Sequence, residues 1–128
     1  MRTMAAFLWV VPCLLAARAG EASPPRWVHL SYAHADATTS VGVTWHSDSV
    51  ADPSTVEFGI SPARDRVATG TASQGPGPLT AIHEAVLTGL QPDTVYRYRV
   101  GGEGAWSKDF VFRTPPDDAC TPYTFGVL

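Results

Sequence analysis

The chain has 128 residues, nine of them basic and twelve acidic, for a formal net charge of -3. That length accommodates one domain of ordinary size, and the charge balance argues against nucleic acid or an acidic membrane surface as a partner. Eleven Gly, eleven Pro, four Trp and four Tyr suit a β-rich fold with many turns, and the absence of any Asn excludes an N-linked glycan.

Residues 1–22 read as a secretory signal peptide. Arg2 is the basic start, and Met4 to Leu15 is an apolar run too short to span a bilayer. Ala17-Arg18-Ala19 supplies a small-residue cleavage site, with Gly20-Glu21-Ala22 as an alternative. Pro12 interrupts the run and Pro24-Pro25 follow it, which argues against a membrane-anchoring helix. Cleavage would also remove Cys13 and leave Cys120 as the single cysteine. The expected product is secreted, with no membrane association after cleavage.

From Trp27 onward the apolar residues alternate with a period of two, the signature of half-buried strands. Trp27 to Tyr32 is the first strand, with Val28, Leu30 and Tyr32 on one face. Val41, Val43 and Trp45 form the next inward row. Val56, Phe58 and Ile60 form the third, within Thr55 to Ile60. Arg66 to Thr71 is a weaker edge strand, and Ser73 to Pro78 is a loop by composition. Ile82 to Thr88 and Val95 to Val100 are the fifth and sixth strands. Trp106 to Arg113 is the seventh, with Phe110 and Phe112 on one face. Seven short strands at regular spacing predict a seven-stranded antiparallel sandwich of the immunoglobulin or fibronectin type III-like kind.

The stretch from Leu87 to Val100 organises this pattern. Gly89 and Pro92 mark a corner between two strands, and Tyr96 stands just past it. A Tyr buried there must satisfy its hydroxyl, and the nearby backbone is expected to offer an acceptor, as in the tyrosine corner of sandwich domains. Beyond Thr114, Pro115 to Asp118 reads as a linker. Tyr123 to Leu128 then reads as the opening strand of something further.

The chemistry-bearing residues do not form a motif. His29, His34, His46 and His83 lack the HxH or HExxH spacing of a metal site, and no Cys pair supports one. They read as scattered surface or sheet histidines, with His29 and His46 sharing an outer sheet face and His34 close to Asp36. Ser31, Ser47 and Ser107 lack a nucleophile-elbow or triad pattern. Gly75 to Pro78 and Gly101 to Gly104 read as turns rather than phosphate loops. Arg97 and Arg99 read as a solvated sheet face. No catalytic, cofactor-binding or metal-binding residue is therefore assigned within this chain.

Six stretches taken together resemble the N-terminal domain of the purple acid phosphatases. They are Val28 to Tyr32, Val41 to Trp45, Val56 to Gly59, Ile82 to Leu90, Tyr96 to Gly101, and Trp106-Ser107 with Phe110 to Thr114. The resemblance implies a fibronectin type III-like domain over 23–114. Residues 115–128 would then be a linker and the first strand of a metallophosphatase domain, of which Tyr123 to Leu128 is all that is present. In such a protein two metal ions, one ferric and one divalent (iron, zinc or manganese), bind phosphate and activate a water, on ligands that lie in the second domain. The implied partner is that domain in cis, and a homodimer is left open. The alternative is a free-standing secreted fibronectin-like module for adhesion or carbohydrate binding.

Overall fold

A computed structural model describes residues 22–32, 36–78, 80–118, 120 and 122. The expected leader, His34 and the strand expected at the C-terminal end lie outside the described residues. Among the described residues, nine strands run in the order β1 (Arg26–Ser31), β2 (Val41–Ser47), β3 (Thr55–Ile60), β4 (Arg66–Thr69), β5 (Thr71–Gln74), β6 (Ala81–Leu87), β7 (Val95–Gly102), β8 (Ala105–Trp106) and β9 (Phe110–Arg113). All pairings are antiparallel. One sheet has the order β1-β2-β6-β5; the other has the order β4-β3-β7-β8, with β9 also paired to β7.

The core is the sum of the inward rows. Val41, Val43, Trp45, Ala85 and Leu87 come from the first sheet. Val56, Phe58, Tyr96, Tyr98, Val100 and Phe112 come from the second, and Leu90 from the corner closes one end. Each large apolar side chain removed from water in this way contributes about 1.5–3 kcal/mol. Tyr96 stacks on Phe112 at 5.5 Å and Tyr98 on Phe110 at 5.4 Å, because β9 lies beside β7 with those residues in register. Burial pushes the Tyr98 phenol up to about 12, since the apolar interior disfavours its anion.

The expected seven strands become nine because two of them break. The fourth changes sheets at Gly70: β4 pairs with β3, whereas β5 pairs with β6. A Cβ at Gly70 would lie 2.0 Å from the carbonyl oxygen of Glu84, so only glycine lets the crossing strand come this close. Ser73 and Gln74, expected in a loop, belong to β5. The seventh strand breaks at Ser107 to Asp109. There the Ser107 hydroxyl accepts the Val100 N–H at 3.0 Å and donates to the Lys108 carbonyl at 2.8 Å. A side chain has replaced a ladder partner, which ends β8 and lets β9 restart.

Two further expectations are corrected. Ile60 lies opposite Tyr96 on the core side but is 47% exposed. It ends β3 at the corner, where it lines a cleft of about 200 Å³ together with Arg66, Gly89, Gln91 and Tyr96. At the corner itself, the Tyr96 hydroxyl accepts a hydrogen bond from the Gln91 N–H at 2.8 Å; the backbone is the donor, not the acceptor.

The corner is also tied to the end of β9. Buried Thr114 accepts the Thr94 N–H through its hydroxyl (2.9 Å) and donates that hydroxyl to the Gln91 carbonyl (2.6 Å). The domain therefore holds its last strand down through Thr114, and the Asp93 N–H binds the Pro115 carbonyl at 3.0 Å. Gly89 (φ 64°) and Asp93 (φ 50°) supply the two left-handed turns that fold the corner back.

Candidate functional site

Four places gather polar or titratable side chains, and the most enclosed lies at the end of the sandwich away from the corner. β2 and β6 pair with Trp45 opposite His83, and their rings stack 5.3 Å apart with planes 9° from parallel. His83 is fully buried. Its Nε2 lies 2.7 Å from the Ser47 hydroxyl and its Nδ1 lies 2.8 Å from the Ser54 hydroxyl. Ser47 donates its own proton to the Ser49 carbonyl at 3.0 Å. This assigns the ring proton to Nε2, which donates to Ser47, while Nδ1 accepts from Ser54. Burial holds the His83 pKa below the usual histidine value, against a partial opposing pull from the Asp52 charge.

Asp52 supports the same end. Its carboxylate accepts from the Ser23 hydroxyl at 2.7 Å and the Ser49 N–H at 3.2 Å. Burial alone would raise its pKa; these hydrogen bonds outweigh that and hold the carboxyl below the usual range. Ser23 in turn accepts the Asp48 N–H at 2.8 Å, which ties the segment before β1 to the β2–β3 turn.

Ser47 beside His83 superficially suggests a nucleophile and its base. The geometry assigns it another task. Ser47 is buried, its proton is committed to a main-chain carbonyl, and the second ring nitrogen faces a hydroxyl rather than an orienting carboxylate. An acyl-transfer site needs an accessible nucleophile and donors for an oxyanion beside it. This cluster satisfies the polar groups of a core and stops there. The sequence reading placed His83 among scattered surface or sheet histidines. Its parity with Ala81, Ala85 and Leu87 was the signal that it points inward.

His29 and His46 share the outer face of the first sheet, as expected. The His46 ring meets exposed Trp27 edge-on at 5.1 Å, and its Nδ1 is buried without a hydrogen-bond partner. His29 places its Nδ1 3.1 Å from the Trp27 carbonyl. Asp36 caps its own turn by accepting from Thr38 and Thr39, and the Thr38 hydroxyl above all holds its carboxyl below the usual range. Among the described residues, no three His, Cys, Asp or Glu side chains converge as a metal centre requires. Cys120 is exposed and outside any disulfide.

The outer face of the second sheet carries the arginines, and they are paired. Arg99 reaches Glu57 at 2.7 Å and Arg97 reaches Asp109 at 3.4 Å. Arg64 lies 3.6 Å from Glu57 and 3.4 Å from Asp109, joining both carboxylates. The Arg99 guanidinium also stacks 4.2 Å above the Trp106 ring. Each such surface pair contributes little to stability, but together they neutralise what would otherwise be a positive strip. The glycine stretches are turns: Gly75 binds the Thr80 carbonyl, and Gly101 to Gly104 forms the β7–β8 hairpin.

Comparison with known proteins agrees with this domain. The family described as "Purple acid Phosphatase, N-terminal domain" matches residues 25–114. Purple acid phosphatase 18 of Arabidopsis thaliana is 36% identical over 117 residues, covering 84% of this chain and 24% of that protein. Purple acid phosphatase 22 of the same plant is 35% identical over 110 residues, covering 83% of this chain and 24% of that protein. The chain thus spans about a quarter of the length of these relatives. Among solved structures, Astrotactin-2, a perforin-like membrane protein involved in neuronal development, aligns with a TM-score of 0.52. It covers 73% of this chain and 22% of its own at 17% identity, which is a likeness of fold alone. On the family match over 25–114, this chain belongs to the purple acid phosphatase N-terminal domain family.

Proposed function

We propose that this chain serves as the N-terminal accessory domain of a secreted purple acid phosphatase, a metal-dependent phosphomonoester hydrolase. The observation that carries the reading is the family match over 25–114, which extends across all nine strands and the buried Thr114. Strand order and the corner built on Tyr96 support a fibronectin type III-like description of the domain. The chemistry is assigned to a metallophosphatase domain that would follow in the same polypeptide. A dinuclear site of one ferric and one divalent ion needs several carboxylate, imidazole and amide ligands around two ions about 3.5–4 Å apart. On this reading the metals belong to that second domain, and no catalytic step is routed through this one.

The role left to the sandwich is that of a rigid neighbour, closed at both ends by its own hydrogen bonds. Secretion follows from the leader expected over residues 1–22. The coding sequence beyond Leu128 tests the reading. A Gly-Asp pair directly after the run ending at Leu128, with Gly-Asn-His-Glu and further histidine motifs downstream, is the expected result. A second sandwich repeat there, or a stop codon in the native transcript, would support the free-standing module instead.

A further inference from the structure

We propose that the outer face of the first sheet is a binding site for a neutral saccharide chain, with Trp27 as its stacking platform and the adjoining groove as its hydrogen-bonding subsite. Three independent observations converge there.

The first is Trp27 itself. It is 68% exposed, the most exposed large apolar residue of the described chain. It sits at a β-bulge, where Trp27 and Val28 of β1 together oppose Trp45 of β2, and its φ is 50°. A bulky residue in the left-handed region is strained, and bulges re-aim side chains. The backbone is thus bent so that the indole, with the Arg26 guanidinium 5.6 Å from its ring centre and His46 edge-on at 5.1 Å, stays largely open to solvent.

The second is the groove. Thr44 lies two residues along β2 from His46, against which Trp27 rests; that is about 7 Å at the usual strand rise. From Thr44 a groove of about 520 Å³ runs across the sheet to Thr69 and Thr71 at the β4–β5 crossing, over Gly42 and beside Glu84. This is within the usual size of ligand clefts, roughly 300–1,000 Å³. Thr44, Thr69, Thr71 and Glu84 all line the groove, and among the described residues no side-chain hydrogen bond or ion pair engages them.

The third is charge. No Lys or Arg lines the groove, and its single ionisable group is an acid. Phosphate, nucleic acid and acidic glycans are disfavoured by that carboxylate. Five of the ten lining residues are polar, which disfavours a lipid chain. A pyranose has one flat C–H face and a rim of hydroxyls. Its C–H face suits an exposed indole, and its rim suits hydroxyls, which donate and accept, and a carboxylate, which accepts.

The test is calorimetric and fluorescence titration of the full chain with neutral hexaoses of glucose, xylose and mannose, using hexagalacturonate as the anionic control. Saturable binding of at least one neutral hexaose is expected. It should weaken at least tenfold in Trp27→Ala and measurably in Thr71→Val, with the thermal midpoint of each variant close to that of the parent. No saturation by any neutral hexaose up to about 10 mM would overturn the proposal. So would equal binding by Trp27→Ala, or binding of hexagalacturonate alone. Weakening in Trp27→Ala with none in Thr71→Val would overturn the assignment of the groove.

Discussion

The two ends of the sandwich are closed by different chemistry. At the corner end, Tyr96 and Thr114 bind main-chain groups of Gln91 and Thr94, with no histidine or carboxylate in those bonds. At the other end His83 bridges two serines and stacks on Trp45, with the Asp52 carboxylate nearby. Both arrangements satisfy buried polar groups, which is the condition for burying them at all. Only the second can change its charge under mildly acid conditions. One fold therefore carries one end indifferent to pH and one end that resists protonation.

The largest expected effect comes from removing what His83 rests on. Trp45→Ala deletes a fully buried indole and leaves the imidazole beside a cavity, and it should destabilise the domain by about 3–5 kcal/mol in urea unfolding. A loss under about 1 kcal/mol would mean that Trp45 is not central to the core.

Acidification should come next. The folded His83 pKa lies below its unfolded value, so between the two the unfolded state binds more protons and stability falls as pH falls. The contribution is complete above about pH 6.5 and declines below it, by at most about 1.4 kcal/mol per pH unit. Asp36 and Asp52, both held low, act on stability only in more acid solution, below about pH 4. Urea unfolding at about pH 7.5 and about pH 5.5 should therefore show a gap that narrows in His83→Gln. An equal gap in that variant would remove His83 as its source.

A smaller loss is expected at the corner. Tyr96→Phe leaves the Gln91 N–H without its partner and should cost about 1 kcal/mol, by the same amount at both pH values. A pH-dependent loss would break the contrast between the two ends.

The corner was readable because its residues are neighbours in sequence: Leu90, Pro92, Thr94 and Tyr96 follow one another within seven positions. Alternation likewise placed Val41, Val43, Trp45, Tyr96 and Tyr98 inward, as found. Thr114 was not readable, because its partners lie 20 and 23 residues away. The His83 cluster draws on Ser23, Ser47, Asp52 and Ser54, so no local window contains it. The strand breaks at Gly70 and Ser107 depend on how close another strand passes and on a side chain entering the ladder. Neither leaves a mark in hydrophobic period. The outer-face groove was missed for the same reason: Thr44, Thr71 and Glu84 meet only once β2, β5 and β6 are side by side.

On the proposed reading, the domain has a supporting role and the catalysis belongs to the metallophosphatase domain that would follow it. Phosphate release from a phosphomonoester, with metal content measured on the same sample, tests this most directly on the purified 128-residue chain supplied with iron and zinc. The account predicts a folded protein that retains no stoichiometric metal and releases no phosphate above background. Metal-dependent turnover by this chain alone would contradict it.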